Sequence, residues 1–148
     1  MRMNNHNELY WEDVREGEEL PSVEFPLSVY RLVMAASGNQ DFNSIHHNSE
    51  YAKTTGAPEM YANNFFLQGM WERTVREYIG KAGVIKSLRG FRMVSFNTVG
   101  ETVVVTGKVK RKWKEDNEHL IEIQLQSETS VGVTVGPGSI VAALPTQS

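Results

Sequence analysis

Between about residues 64 and 79, Phe66, Met70, Thr74 and Tyr78 recur at every fourth position, with Leu67, Trp71, Val75 and Ile79 beside them. A helix with so broad an apolar face needs a large surface to cover it, and a sheet supplies one. Asn63 is placed to cap this helix and Gly80 to stop it. The residues after it read as strands over 84–99 with an interruption around Gly90, 102–113, 119–129 and 133–144. Val103, Val105, Gly107 and Val109 alternate with polar or smaller neighbours, as do Ile121, Ile123 and Leu125 with Glu122, Gln124 and Gln126, so one face of each strand is to be buried. Gly100 and the Asp116-Asn117 pair supply turns. Ahead of the helix, 19–27 alternates Val23, Phe25 and Leu27 as a first strand, and Ser28 can cap a helix through Val29, Leu32, Val33 and Ala36 to Gly38. The expected class is α+β, a long helix laid against an antiparallel sheet. With 148 residues, no repeat and no linker, 1–148 is expected to be one domain with its own core.

Composition narrows what such a domain does. The formal net charge is −3 and there is no cysteine, so neither nucleic-acid binding by bulk charge nor thiol chemistry is expected. The missing cysteine leans towards a reducing, cytoplasmic setting. Residues 1–7 are polar and no apolar core follows them, so no secretory signal is expected. No stretch approaches the ~20 apolar residues of a membrane span.

Chemistry concentrates in the loop after the first helix, Gly38-Asn39-Gln40-Asp41-Phe42-Asn43-Ser44-Ile45-His46-His47-Asn48. Asp41 and His46 are an acid and a base that converge on one small volume if the intervening residues turn back, as a site moving protons through water requires. Asn48 or Ser49 then caps a short helix through Tyr51 and Ala52, closed by Gly56 and Pro58. Taken singly, Asp41 could cap the loop through an Asx turn and His46 could be an ordinary hydrogen-bonded histidine. Asn43 reads as a scaffold of the loop. His47 offers a second imidazole, but no third ligand stands at metal spacing, so no metal is expected.

On these residues the chain resembles the MaoC-like (R)-specific enoyl-CoA hydratase family. Asp41-Phe42-Asn43-Ser44-Ile45-His46 is similar to that family's Asp-x-Asn-Pro-x-His signature, and Tyr51-Ala52 stands where the family has an alanine on a short helix. The resemblance implies a hotdog fold, a curved antiparallel sheet wrapped around one central helix, with Asp41 and His46 as the catalytic pair. It implies reversible addition of water to a trans-2-enoyl thioester, the two side chains holding the water between them. Coenzyme A would be part of the substrate, with no separate cofactor. The chain departs from the pattern at Ser44, where proline is usual, at Asn39-Gln40, which separate Ser37-Gly38 from Asp41, and at Tyr61-Ala62, which replace a His-Gly pair. Its closest likeness is to the short single-hotdog subunits of steroid side-chain degradation hydratases, whose catalytic chain pairs with a different hotdog chain. A homodimer or such a heteromer is therefore expected. An acyl-CoA thioesterase and a noncatalytic hotdog partner are the alternative readings.

Attack by water throws negative charge onto the thioester oxygen. Backbone N–H groups at the start of the long helix, at Ala62 and Asn63, are the expected donors to it. Phe65, Phe66, Met70 and Trp71 are candidates for an acyl tunnel or for plain core. Lys108, Lys110, Lys112 and Lys114 share a strand face that reads as solvated; Lys86, Arg89 and Arg92 are the rival contacts for coenzyme A phosphates. Gly136-Pro137-Gly138 reads as a turn or bulge, since no lysine or helix start follows it.

Overall fold

In a computed structural model, residues 8–147 are described; residues 1–7, read above as polar and unlike a signal, lie outside them. The long helix, α3, runs Asn64–Ile79, with the Asn63 side chain accepting from the Phe66 N–H at its start and Gly80 at φ 72° at its end. Leu67, Met70, Trp71, Val75 and Ile79 are fully buried along it. What they pack against is a five-stranded antiparallel sheet of order β1-β3-β4-β5-β2. The strands are β1 (Val23–Pro26), β2 (Val84–Arg89), β3 (Thr102–Glu115), β4 (Glu118–Thr129) and β5 (Gly132–Ala143).

Alternation sets the register. Val105 stands opposite Ser127 and Ile123 opposite Ile140, which puts Val103, Val105, Val109, Ile121, Ile123 and Ile140 on the inner face, all at 0% exposure. Each such side chain contributes roughly 1.5–3 kcal/mol of burial, and Trp71 adds a buried hydrogen bond from its indole N–H to Ser127 Oγ (2.8 Å). Two further helices, α1 (Val29–Gly38, capped by Ser28) and α2 (Ser49–Thr54, capped by Asn48), precede α3. Among the described residues, no helix is long and apolar enough to cross a membrane.

Three expectations need correction. The first strand is only Val23–Pro26, and Glu19 touches the sheet through a lone bridge to Lys108. The strand expected over 84–99 ends at Arg89, where Gly90 takes φ 68° and the backbone crosses Gly138 so closely that a Cβ on Gly138 would lie 2.5 Å from the Arg89 carbonyl oxygen. From there the chain passes over α3, with Phe91 against Trp71 and Phe96 against Tyr61; it touches β5 through an isolated bridge from Met93 to Val135, while Thr98 bridges Tyr61 outside the sheet. Lastly, a shift in pairing between Val109 and Arg111 breaks the lysine face. Lys112 turns inward, donating to the carbonyls of Trp11 (2.7 Å) and Val14 (2.8 Å). The Gly136-Pro137-Gly138 segment sits where β5 slips against β4, a bulge as read from the sequence.

Candidate active site

The loop that carries Asp41 and His46 is shaped by its own polar residues. Asn39 closes α1, Gln40 takes the left-handed conformation (φ 56°), and the Asp41 N–H donates back to the Ala36 carbonyl at 2.9 Å. Asn43 then caps a 3-10 turn, Ser44–His46, its Oδ1 accepting from the Ile45 N–H at 3.1 Å. The scaffold role expected of Asn43 is thus its observed geometry. Ser44 is the first residue of that turn, where the N–H has no partner within the turn and proline is tolerated. The loop therefore closes without proline.

The turn brings His46 under the loop, and its side chain is 6% exposed against 33% for Asp41. His46 Nδ1 lies 2.7 Å from the Tyr61 carbonyl oxygen, an atom that only accepts, so Nδ1 carries a proton and Nε2 is the working nitrogen. Nε2 stands 3.0 Å from Asp41 Oδ2. The Tyr61 ring packs edge-on to the imidazole, with centroids 5.5 Å apart. Burial, and then the negative charge of Asp41, raise the Tyr61 phenol above its ordinary pKa. At 3.0 Å the acid and base touch, so the water expected between them has no room in this arrangement. Asp41 Oδ1 makes no hydrogen bond among the described residues and is the oxygen left to receive it.

Asn63 joins this group through its side chain. Its Nδ2 is 3.5 Å from Asp41 Oδ2, while its Oδ1 accepts from the Phe66 N–H (2.9 Å) and from Asn39 Nδ2 (3.3 Å). At 3% exposure it caps α3 and steadies the carboxylate together. The Ala62 expectation is corrected: its N–H donates to the Asn97 carbonyl at 2.9 Å and is not free for a substrate oxygen. The Asn63 N–H, and after it that of Asn64 in the first turn of α3, have no acceptor among the described residues, as helix starts require.

Other expected residues lie apart. Lys86 pairs with Glu118 at 2.7 Å across the sheet. Arg89 borders a cavity of about 220 Å³ with Lys110, Gln124 and Ser139. His47 turns its Nε2 towards the Phe42 carbonyl (3.5 Å), away from His46. Among the described residues no three of His, Asp and Glu gather as a metal site. Phe65, Phe66 and Met70 line a groove between α1 and α3, whereas Trp71 is core. Two participants were not foreseen. Asn39 appeared in the sequence only as part of an unusual loop entry, and a backbone carbonyl such as that of Tyr61 leaves no mark on a sequence.

A charged oxygen, an imidazole with its tautomer fixed, and spare N–H donors at a helix start form a constellation suited to proton transfer beside a developing oxyanion. No family model matches the chain. It is 25% identical over 116 residues to the beta subunit of the 3-oxo-4,17-pregnadiene-20-carboxyl-CoA hydratase of Mycobacterium tuberculosis, covering 78% of this chain and 86% of that one. Its fold is similar to that of the ChsH1-ChsH2 complex from Mycobacterium tuberculosis (TM-score 0.80, 22% identity, 88% of this chain and 98% of that chain). It is equally similar to the unliganded R-hydratase PhaJ1 from Pseudomonas aeruginosa (TM-score 0.83, 16% identity, 95% and 88%).

Proposed function

We propose that this hotdog-fold chain, similar to an R-hydratase and to a hydratase beta subunit, hydrates a trans-2-enoyl thioester of coenzyme A, giving the 3-hydroxyacyl thioester. The observation that carries this reading is the 3.0 Å contact of Asp41 Oδ2 with His46 Nε2 while Nδ1 is held at 2.7 Å by the Tyr61 carbonyl. Water rests on Asp41 Oδ1. Its oxygen bonds to Cβ as Asp41 takes its proton, and the electron pair of the double bond moves onto the thioester oxygen as an enolate. The N–H groups of Asn63 and Asn64 receive that oxygen, a stabilisation whose loss costs about 3 kcal/mol per donor in such sites. The enolate then collapses, and the proton held by the Asp41–His46 pair passes to Cα. One water has added across one double bond, and the pair is restored.

Two of the relatives are named as hydratases, one of them a beta subunit, and a solved structure whose fold this chain shares is a two-protein complex. This supports pairing of the present chain with a second hotdog chain, a copy of itself or a relative. The edge suited to it is β2, where Val84 is exposed; β1, at the other edge, is four residues long and ends in Pro26.

The test is a paired assay with the purified chain and enoyl-CoA substrates. Loss of enoyl absorbance without free thiol is expected. Thiol release would indicate a thioesterase, and neither signal, alone or with a partner hotdog chain, would indicate a noncatalytic subunit. Sedimentation is expected to give a dimer or a heteromer, and an active monomer at micromolar concentration would refute the pairing.

A further inference from the structure

Between α1 and α3 runs a groove of about 740 Å³ whose walls are Phe25, Tyr30, Met34, Phe65, Phe66 and Met70. One end belongs to the site already described. Asn39 lines the groove and bonds to Asn63, whose amide meets Asp41. The floor is bare, because Gly38 and Gly69 both line it and a Cβ added at either would meet nothing within 4 Å. The other end is charged. Arg31, near the start of α1, and Arg73, in the third turn of α3, both border the groove, and no Asp or Glu does.

The helices give the span. From Asn63 to Arg73 the rise of α3 is about 15 Å, and from Arg31 to Asn39 that of α1 is about 12 Å, at ~1.5 Å per residue. Each guanidinium keeps donors to spare. Arg31 gives one nitrogen to the Pro26 carbonyl (3.3 Å), and Arg73 gives Nε to Glu77 (2.7 Å). A purely hydrocarbon tail filling this groove would strip water from two guanidinium groups and offer nothing in return. A carbonyl or carboxylate oxygen at the same place would accept charge-assisted hydrogen bonds from both.

We infer that this groove is the acyl subsite, and that Arg31 and Arg73 recognise an oxygen acceptor at the distal end of a long or polycyclic acyl group. The inference rests on the hydratase reading above, and its test is chosen to fail separately. Saturated dodecanoyl-CoA, its ω-oxo analogue and its ω-carboxylate analogue are titrated calorimetrically into the full chain, so that turnover plays no part.

The expected result is binding of at least one oxygenated analogue about tenfold tighter than the plain chain. Which analogue gains tells neutral carbonyl from carboxylate recognition. Arg31→Met with Arg73→Met should reduce the difference to less than about twofold, whereas lysine at both positions should retain part of any carboxylate preference. Gly69→Leu, which fills the floor, should weaken all three. Equal binding by all three thioesters, no measurable binding, or a preference that survives the double methionine variant would overturn the inference. If the preference is found in a chain that hydrates no enoyl thioester, the subsite stands and the hydration reading falls.

Discussion

Replacing Asp41 with asparagine separates chemistry from fold more cleanly than any other change at the site. The amide has the same shape as the carboxylate, so the substituted side chain would still fill the space against His46 Nε2 and Asn63 Nδ2, now 3.0 and 3.5 Å from Asp41 Oδ2. What is lost is one charge-assisted hydrogen bond on a side chain one-third open to water, a cost of about 1 kcal/mol. For a chain of this size that is a Tm lower by about 2–4 °C. Turnover should fall much further. An amide takes no proton from water, and loss of a positioned general base costs about 100-fold or more, about 2.7 kcal/mol in the barrier. His46→Gln should lose as much activity at a greater cost in stability, since it empties a buried ring site against Tyr61. Because both groups serve one proton transfer, the double variant should be nearly as active as the worse single one and far above the product of the two losses. Enoyl absorbance at matched folded fraction, checked by thermal melting, gives all three rates. Asp41→Asn retaining more than about a third of the parent rate, or losses that multiply, would refute the proton-transfer role.

Asn63→Asp keeps a good helix cap but sets a second carboxylate beside Asp41. The acid limb of the pH–rate profile should move to higher pH, with turnover at neutral pH down about tenfold; an unmoved limb would argue against Asp41 as the base. Ser44→Pro should stabilise the chain by about 0.4–1 kcal/mol, because Asn43 already has the φ −62°, ψ 129° that a following proline demands and the Ser44 N–H donates to no acceptor among the described residues. A fall in the denaturation midpoint would show that the 3-10 turn is held otherwise. Tyr78 has a buried hydroxyl without a hydrogen-bond partner among the described residues, and burial, with the charge of Glu18 after it, holds its pKa well above the ordinary value. Its contribution to stability is therefore intact below about pH 10 and lost as pH rises from there through the folded value. Tyr78→Phe should match or exceed the parent Tm at about pH 8 and lose less of it at about pH 11, and an identical alkaline loss would count against this assignment.

The parts of the fold that the sequence announced are those where one periodicity governs many residues. The apolar face of α3 and the alternation along β3 and β4 repeat over three or more turns or pairs, and Asn63 and Gly80 mark the ends of α3 by local chemistry. The stretch after Gly90 misled because Phe91, Met93, Phe96 and Val99 are apolar for packing against the core rather than for a sheet face. A ladder and a covering loop demand similar composition and differ only in where the backbone bonds go. The lysine face failed for a related reason, since one bulge inverts a period of two. At the site, Asp41, Asn43 and His46 were legible as side chains at a fixed spacing. The Tyr61 carbonyl and the engagement of the Ala62 N–H by Asn97 were not, because backbone partners are chosen by tertiary approach.

The balance between a catalytic and a noncatalytic chain turns on what it costs to keep this pair. Placing an imidazole at 6% exposure beside a carboxylate removes hydration from both groups, and contacts among such groups recover that loss only where geometry is good. The chain spends several further polar groups on that geometry: the Tyr61 carbonyl on Nδ1, the Asn63 amide on Oδ2 and the Asn39 amide on Asn63. A subunit that only completes a partner's sheet would be served as well by an apolar residue at each place, and replacing a buried polar network with packed hydrocarbon is often neutral or stabilising. Nor would such a subunit need a carboxylate with one oxygen partnered and the other, among the described residues, left open beside unpaired N–H groups at a helix start. The same asymmetry favours addition of water over hydrolysis. Hydrolysis asks for water aimed at the carbonyl carbon, next to the oxygen that Asn63 and Asn64 would hold, whereas hydration asks for it one vinylogous step away. On the proposed placement, with the carbonyl oxygen on those donors and the acyl group entering the groove at Asn39, the carbon that would pass beside Asp41 is Cβ.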